Sequence, residues 1–149
     1  MIVVGVDESE GSIAALGWAV EEATLRKTAL RVVHAWEYPA TSVTDLPIDS
    51  VTLRVFKEHA EHVIDQMLIK AVGDPSEVEG SVGIERVVSR GSAAESLLGA
   101  SQGADLLVVG SRGRGGFKSL LLGSVSQQCA QHATCPVVIV PNRSRIAGD

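Results

Sequence analysis

Glycine and serine residues are concentrated between Val108 and Pro136, where an apolar run predicts a buried strand at the start of the stretch. Five glycines lie between positions 110 and 123. Ser124 and Gln127 have the spacing of a capping box, which predicts that a helix begins here. Glycines let backbone N–H groups approach a ligand closely, and a helix N-terminus favours negative charge. The stretch therefore predicts a site for an anion such as phosphate. An ordinary loop, with Ser124 as a simple cap, is the alternative.

Two well-known phosphate-binding loops are excluded by their spacing. In the Walker A pattern the lysine follows a glycine, whereas Lys118 follows Phe117 here. The dinucleotide-binding fingerprint closes on a third glycine, whereas that position after Gly113 and Gly115 is occupied by Lys118. Any phosphate site in this stretch must therefore be of another kind.

A different glycine spacing is present and is more informative. It consists of Gly110, two residues, Gly113, nine residues, Gly123 and then Ser124. This spacing is the ATP-binding signature of the universal stress protein family, which the chain resembles from end to end. An aspartate after the first predicted strand, a glycine after the third and a closing apolar strand also match features of that family: Asp7, Gly91 and the run at 135–140.

The family resemblance implies a ligand and a set of contacts. The ligand is an adenine nucleotide, ATP with Mg²⁺. The matching aspartate, Asp7, is expected to contact the nucleoside end, with the backbones of Gly5, Val6 and Ala35 beside adenine. The ribose and phosphates are expected along the two limbs of the glycine-rich loop, at Gly110, Ser111, Arg112, Gly113, Gly123, Ser124, Val125 and Ser126.

Charged residues near these positions have two interpretations each. Asp7 at the end of a strand is able to accept hydrogen bonds from a ribose or an adenine amine, or to cap the helix that follows. Glu8 adds a second negative charge where many family members have a small residue. Arg112, Arg114 and Lys118 would either add positive charge for the phosphates or belong to a solvated loop.

Composition limits the classes of protein that fit. A chain of 149 residues with 45% hydrophobic and 21% charged residues predicts one globular domain over 1–149, with a frayed tail at 142–149. The aromatic content of 3% and the net charge of −5 argue against nucleic acid or an anionic membrane as a partner. No apolar run reaches the ~18 residues of a membrane span, and no signal peptide is recognised. We therefore expect a cytoplasmic protein.

The order of elements predicts an α/β fold. Short apolar runs near residues 1–6, 30–36, 82–88, 106–109 and 137–140 predict five strands, and amphipathic segments between them predict helices. Such alternation predicts an open parallel sheet with helices on both faces, in which ligands bind beyond the carboxyl ends of the strands. The resemblance implies the Rossmann-like strand order 3-2-1-4-5.

Histidines and cysteines give weak signals. His59 and His62 do not form the HExxH pattern, so a solvated helix flank is expected. His34 is expected to pack beside the site. Cys129 and Cys135 lack CxxC spacing, and packing is expected for both, with a regulatory thiol as the alternative.

Three functions remain open at this stage. The first is a regulatory, nucleotide-dependent switch in the stress response, with at most slow ATP hydrolysis. The second is an enzyme, a slow ATPase or nucleotide transferase, although no general base is evident. The third is an interaction module that binds no nucleotide. Separately, the apolar strand Val137 to Val140 is an edge strand in the implied order, which predicts a homodimer paired through it.

Overall fold

The computed structural model describes residues 1–37, 49–114 and 121–142. The predicted loop at 37–50 and the predicted tail at 142–149 lie almost entirely outside these ranges, as does Lys118. In the described part, no helix is both long enough and apolar enough to cross a membrane.

Five parallel strands form one sheet in the order β3-β2-β1-β4-β5. The predicted α/β class and the implied strand order are therefore confirmed. The strands are β1 (Ile2–Gly5), β2 (Leu30–Trp36), β3 (Ile84–Arg90), β4 (Leu106–Gly110) and β5 (Val137–Val140). Strands β1 and β4 are continuous apolar runs because helices cover both of their faces.

Helices lie on both sides of this sheet, as predicted. They are α1 (Glu10–Arg26), α2 (Ser50–Val72), α3 (Pro75–Glu79), α4 (Ala93–Ala100) and α5 (Ser124–His132). Alternate strand residues point to opposite faces. Val4 packs in the core that holds α1 and α2, whereas Val3 packs with Leu97 of α4 and Cys129 of α5.

Helix α3 was not predicted. Asp74 accepts a hydrogen bond from the Ser76 N–H at 2.9 Å, and Pro75 is the first helical residue. Proline is favoured at that position because its missing N–H needs no partner there. Strand β3 also begins two residues later than predicted, at Ile84 rather than Val82.

The strand order determines where the two loops of interest meet. Strand β1 lies directly beside β4, with Val4 opposite Val108. The chain therefore leaves both strands at the same level, at the carboxyl edge of the sheet, before it enters α1 and the glycine-rich loop.

Candidate functional site

A cavity of about 550 Å³ lies at this carboxyl edge, between the β1–α1 loop, the end of β2 and the glycine-rich loop. The structure brings together all of the residues that the resemblance implies for the site except Ser111, which is not among the residues lining the cavity. Those present are Gly5, Val6, Asp7, Ala35, Gly110, Arg112, Gly113, Gly123, Ser124, Val125 and Ser126. Residues that sequence reasoning did not propose for the site also line it, including Ser12, Val33, Leu97 and Leu122.

The Asp7 carboxylate is held by hydrogen bonds from two loops. Its Oδ1 accepts from the backbone N–H of Ser9 at 3.1 Å and also from the Ser9 hydroxyl. Its Oδ2 accepts from the backbone N–H of Arg114 at 3.0 Å. Asp7 thus joins the β1–α1 loop to the glycine-rich loop, and Oδ2 retains one lone pair for a ligand.

The alternative interpretation of Asp7, as the cap of α1, is wrong. The N-cap is Ser9, whose hydroxyl oxygen accepts from the Ser12 N–H at 3.2 Å. Sequence reasoning did not identify the second role of Ser9, as a donor to Asp7. A serine two residues after an aspartate is the spacing of an Asx turn, which was the available signal.

The predicted capping box at the start of α5 is also wrong. The N-cap is Gly123, with φ −74° and ψ 169°, and no side chain caps the helix. The first helical hydrogen bond runs from the Gln127 N–H to the Gly123 carbonyl at 3.0 Å. Ser124 is therefore the first residue inside the helix, where its backbone is already helical and its side chain does not cap.

An uncapped helix start leaves donors available. The backbone N–H groups of Ser124, Val125 and Ser126 precede the first helical hydrogen bond, and none of them donates to another residue in the described ranges. These residues line the cavity. Their N–H groups and the helix dipole together favour an anion at this point.

The Ser126 hydroxyl stabilises this helix start through hydrogen bonds to two backbone carbonyls. It is buried and lies 3.1 Å from the Ser111 carbonyl oxygen and 3.0 Å from the Gly123 carbonyl oxygen, to which it donates. Ser111 also donates its N–H to Val140 of β5 at 2.8 Å and accepts from the Gly123 N–H at 2.8 Å. Ser111 is thus the backbone connection between β5, the loop and the start of α5.

Two glycines of the signature make close contacts within the protein, with backbone at Gly110 and with a side chain at Gly113. A Cβ on Gly113 would lie 2.5 Å from Asp7 Oδ2, and a Cβ on Gly110 would lie 2.7 Å from the backbone of Gly11. Neither Gly110 nor Gly113 has a positive φ. Gly123 is different, since a Cβ there would meet its nearest neighbour at 3.4 Å, an ordinary contact.

The inner wall of the cavity is apolar. Val33, Leu97 and Val109 are buried and line it together with Ala35. Beneath it the buried His34 places Nδ1 2.9 Å from the Val6 carbonyl oxygen. Because a carbonyl only accepts, Nδ1 carries the proton and donates. A cavity that combines an apolar wall with a set of N–H donors suits a ligand with a flat apolar part and an anionic part.

The charged groups at the cavity are partly paired. Arg112 and Arg114 line it, and the Arg114 Nη1 lies 3.1 Å from Glu8 Oε2. Glu8 has a φ of 67°, in the left-handed region that non-glycine residues rarely adopt. The Glu8 carboxylate, which is the second negative charge beside Asp7, therefore forms an ion pair with Arg114.

The histidines and cysteines outside the site take no part in it. His59 and His62 are exposed on α2, and the described residues contain no group of three or more metal-ligating side chains. Burial raises the pKa of the Cys129 thiol to about 11, so this thiol is un-ionised and unreactive at neutral pH.

Comparison with known proteins agrees with this architecture. The family model described as "Universal stress protein family" matches residues 1–141. A universal stress protein of Mycobacterium tuberculosis is 35% identical over 145 residues, covering 97% of this chain and 48% of the relative. One from Mycolicibacterium smegmatis is 34% identical over 148 residues, covering 99% and 50%. The chain thus spans about half the length of the curated relatives it matches.

Solved structures show the same fold. The universal stress protein UspA from Lactobacillus plantarum superposes with a TM-score of 0.73 at 23% identity, covering 93% of this chain and 95% of that one. A universal stress protein solved in complex with cAMP gives 0.65 at 24% identity, covering 95% of each chain. One from Archaeoglobus fulgidus in complex with dAMP gives 0.57 at 22%, covering 93% and 95%. From the match over residues 1–141, this chain belongs to the universal stress protein family.

Proposed function

We propose that this protein binds an adenine nucleotide in the cavity at the carboxyl edge of the sheet, and that the ligand is ATP with Mg²⁺. Nucleotide occupancy would regulate the choice of a protein partner in the stress response. The observation that carries the proposal is the uncapped start of α5, where three residues that line the cavity have backbone N–H groups without a partner in the described ranges. A helix start of this kind readily binds a phosphate group, whose oxygens accept hydrogen bonds from the free N–H groups.

The rest of the cavity supports a nucleoside. Its apolar wall of Val33, Leu97 and Val109 suits the faces of a base, and the Asp7 oxygens suit hydroxyl or amine donors. Two proteins of the same fold were solved with cAMP and dAMP, both of which are adenine nucleotides. The metal would be held by phosphate oxygens, because the described residues offer no cluster of metal ligands.

Hydrolysis is at most slow in this proposal. Among the described residues that line the cavity, Asp7 is the one that carries a carboxylate. Both of its oxygens already accept hydrogen bonds. An efficient ATPase needs a base positioned to orient water. A steady-state assay that finds many turnovers per minute would instead favour the enzyme.

Two variants at one position test the phosphate donors. Ser124→Pro removes one of the proposed N–H donors at the first helical position, where proline is tolerated, and the extended backbone of Gly123 is compatible with a following proline. Ser124→Ala keeps the N–H and removes only the hydroxyl. Hydrogen bonds to charged groups contribute about 1.5–3 kcal/mol, so calorimetric titration should find ATP binding weakened about tenfold to a hundredfold in the proline variant.

The alanine variant is the control, and it should bind ATP more tightly than the proline variant. Circular dichroism should show the same helix content in both. Wild-type protein that binds no adenine nucleotide, or a proline variant that binds as well as the alanine variant, would contradict the proposed site.

A further inference from the structure

The backbone of Glu8 lies in a conformation that its residue type disfavours. With φ at 67°, Glu8 and the helix-terminal Lys27 are the non-glycine residues with positive φ in the described ranges. Lys27 ends a helix, where this conformation is usual. Glu8 instead lies between Asp7, which lines the cavity, and Ser9, which caps α1. A strained residue in such a place indicates a function for its side chain.

The Glu8 side chain reaches across to the glycine-rich loop. Its Oε2 lies 3.1 Å from the Arg114 Nη1, while the backbone N–H of Arg114 donates to Asp7 Oδ2 at 3.0 Å. The same arginine therefore contacts both acidic residues of the β1–α1 loop, through two different groups. Because Arg114 lines the cavity, its pairing with Glu8 changes the charge that a ligand meets there.

We propose that Glu8 controls how the site discriminates between nucleotides with different numbers of phosphates. By pairing with Arg114, it neutralises one of the two arginines that line the cavity, and so reduces the preference for ATP over AMP. This inference rests on the proposed function, since it concerns the selectivity of the same site. It identifies Glu8 as a selectivity residue and Arg114 as the group through which it acts.

The charge argument follows from the nature of the ligands. ATP carries more negative charge than AMP, so a nearby positive charge favours ATP and a nearby negative charge opposes it. In the pair these effects largely cancel. When Glu8 loses its charge, the Arg114 guanidinium is free to turn toward the phosphates, and ATP gains more than AMP does.

The size of the effect follows from the exposure of the pair. The Arg114 side chain is 66% exposed and that of Glu8 42%, so water and salt screen the interaction. Exposed ion pairs of this kind correspond to changes in affinity of up to about fivefold. The effect should also shrink as salt concentration rises.

The test compares affinities for ATP and AMP by calorimetric titration at low salt, for wild type, Glu8→Gln, Arg114→Gln and the double variant. We expect Glu8→Gln to raise the ratio of ATP affinity to AMP affinity about threefold to fivefold. In the Arg114→Gln background, the same change should raise the ratio less than about twofold, because only screened long-range repulsion is then removed. Glu21→Gln, which removes a charge from the exposed face of α1, should leave the ratio unchanged.

The outcomes separate this inference from the function on which it rests. A ratio that does not change in Glu8→Gln, or a rise of equal size with and without Arg114, would overturn the role of the pair while nucleotide binding stands. Wild-type protein that binds neither ATP nor AMP would overturn the proposed function and this inference with it. A rise in the ratio that depends on Arg114 and fades with added salt would support the inference.

Discussion

Gly110, the last residue of β4, lies so close to Gly11 in the first turn of α1 that no side chain fits between them. A Cβ built on Gly110 would lie 2.7 Å from both the carbonyl carbon and the carbonyl oxygen of Gly11. Real Cβ atoms do not approach backbone atoms this closely. The glycine of the signature is therefore needed to bring the strand end and the helix together, whatever the site binds.

Replacing this glycine should destabilise the fold. Gly110→Ala forces the end of β4 and the start of α1 apart, and overpacking of this kind costs about 1–3 kcal/mol. Urea denaturation should therefore find a lower free energy of unfolding. The matched control is Gly99→Ala on the exposed side of α4, where a Cβ meets nothing within 4 Å.

The control should be stabilised, because alanine is a better helix former than glycine by about 0.5–1 kcal/mol. If the urea midpoint of Gly110→Ala equalled that of the wild type, the close approach to Gly11 would not be the reason for a glycine at position 110. A loss of ligand binding in Gly110→Ala has to be compared with this stability measurement, because a destabilised fold would also weaken binding.

Two serines near the start of α5 should differ in their effect on stability. Ser126→Ala removes a buried hydroxyl that donates to the carbonyls of Ser111 and Gly123, and should lower the free energy of unfolding by about 1 kcal/mol or more. Ser124→Ala removes an exposed hydroxyl that caps nothing, and should change it by less than about 0.5 kcal/mol. Thermal unfolding followed by circular dichroism gives both values. An equal decrease in the free energy of unfolding in the two variants would indicate that the Ser124 hydroxyl caps the helix after all.

Acid should weaken the start of α2 through Asp49. The N–H and hydroxyl of Thr52 hold the pKa of the Asp49 carboxyl below its ordinary value of 3.8. A carboxyl with a lowered folded-state pKa contributes stability that is present above pH 3.8 and is lost as the pH falls through the lowered value. Melting temperatures of wild type should therefore fall more steeply below about pH 4 than those of Asp49→Asn, which cannot titrate. Parallel curves for the two proteins would contradict this role.

We also propose a homodimer that pairs through β5. Its four residues are uncharged, and β5 is one edge of the sheet, whereas the opposite edge strand β3 carries Glu85, Arg86 and Arg90. Charged residues protect an edge from pairing, and an apolar edge invites it. Light scattering at micromolar concentration should report a dimer.

A proline tests this pairing without breaking the sheet. The carbonyl of Pro136 accepts from Leu107 of β4 and that of Val140 from Ser111, the residue after β4, so by alternation Ile139 directs its N–H to the open edge. Ile139→Pro should yield a monomer, whereas Ile139→Ala, which loses packing but keeps the N–H, should remain a dimer. A monomeric wild-type protein, or a dimeric proline variant, would exclude pairing through this strand.

The sequence was sufficient for the architecture, because apolar runs and helical periods repeat along the chain in a way that only a parallel α/β sheet satisfies. The strand order required the family resemblance, since periodicity carries no information about which strands are neighbours. Most of the residues that line the cavity were likewise implied by the family resemblance, whereas Ser12, Leu122 and the apolar wall were not proposed. Leu97 of that wall lies mid-helix in α4, where its apolar side chain looks like any other core residue.

One wrong prediction and one unanticipated set of contacts show what a local pattern leaves out. Ser124 and Gly123 are both good caps, and only the backbone conformation shows that the helix begins after the glycine. The assignment of Gly110 and Gly113 to the ligand stays a prediction, but their close contacts with Gly11 and Asp7 were not anticipated. These contacts join segments distant in sequence, and a local pattern does not contain them.

The central claim is that a nucleotide binds with its phosphates at the start of α5, and amide resonances report this most directly. Adding ATP with Mg²⁺ to isotope-labelled protein should shift the backbone amides of Ser124, Val125 and Ser126, together with that of Ala35, which also lines the cavity. The shifts should saturate together and should be reproduced in part by AMP. Unchanged amides at the start of α5, or shifts confined to residues outside the cavity, would contradict the account.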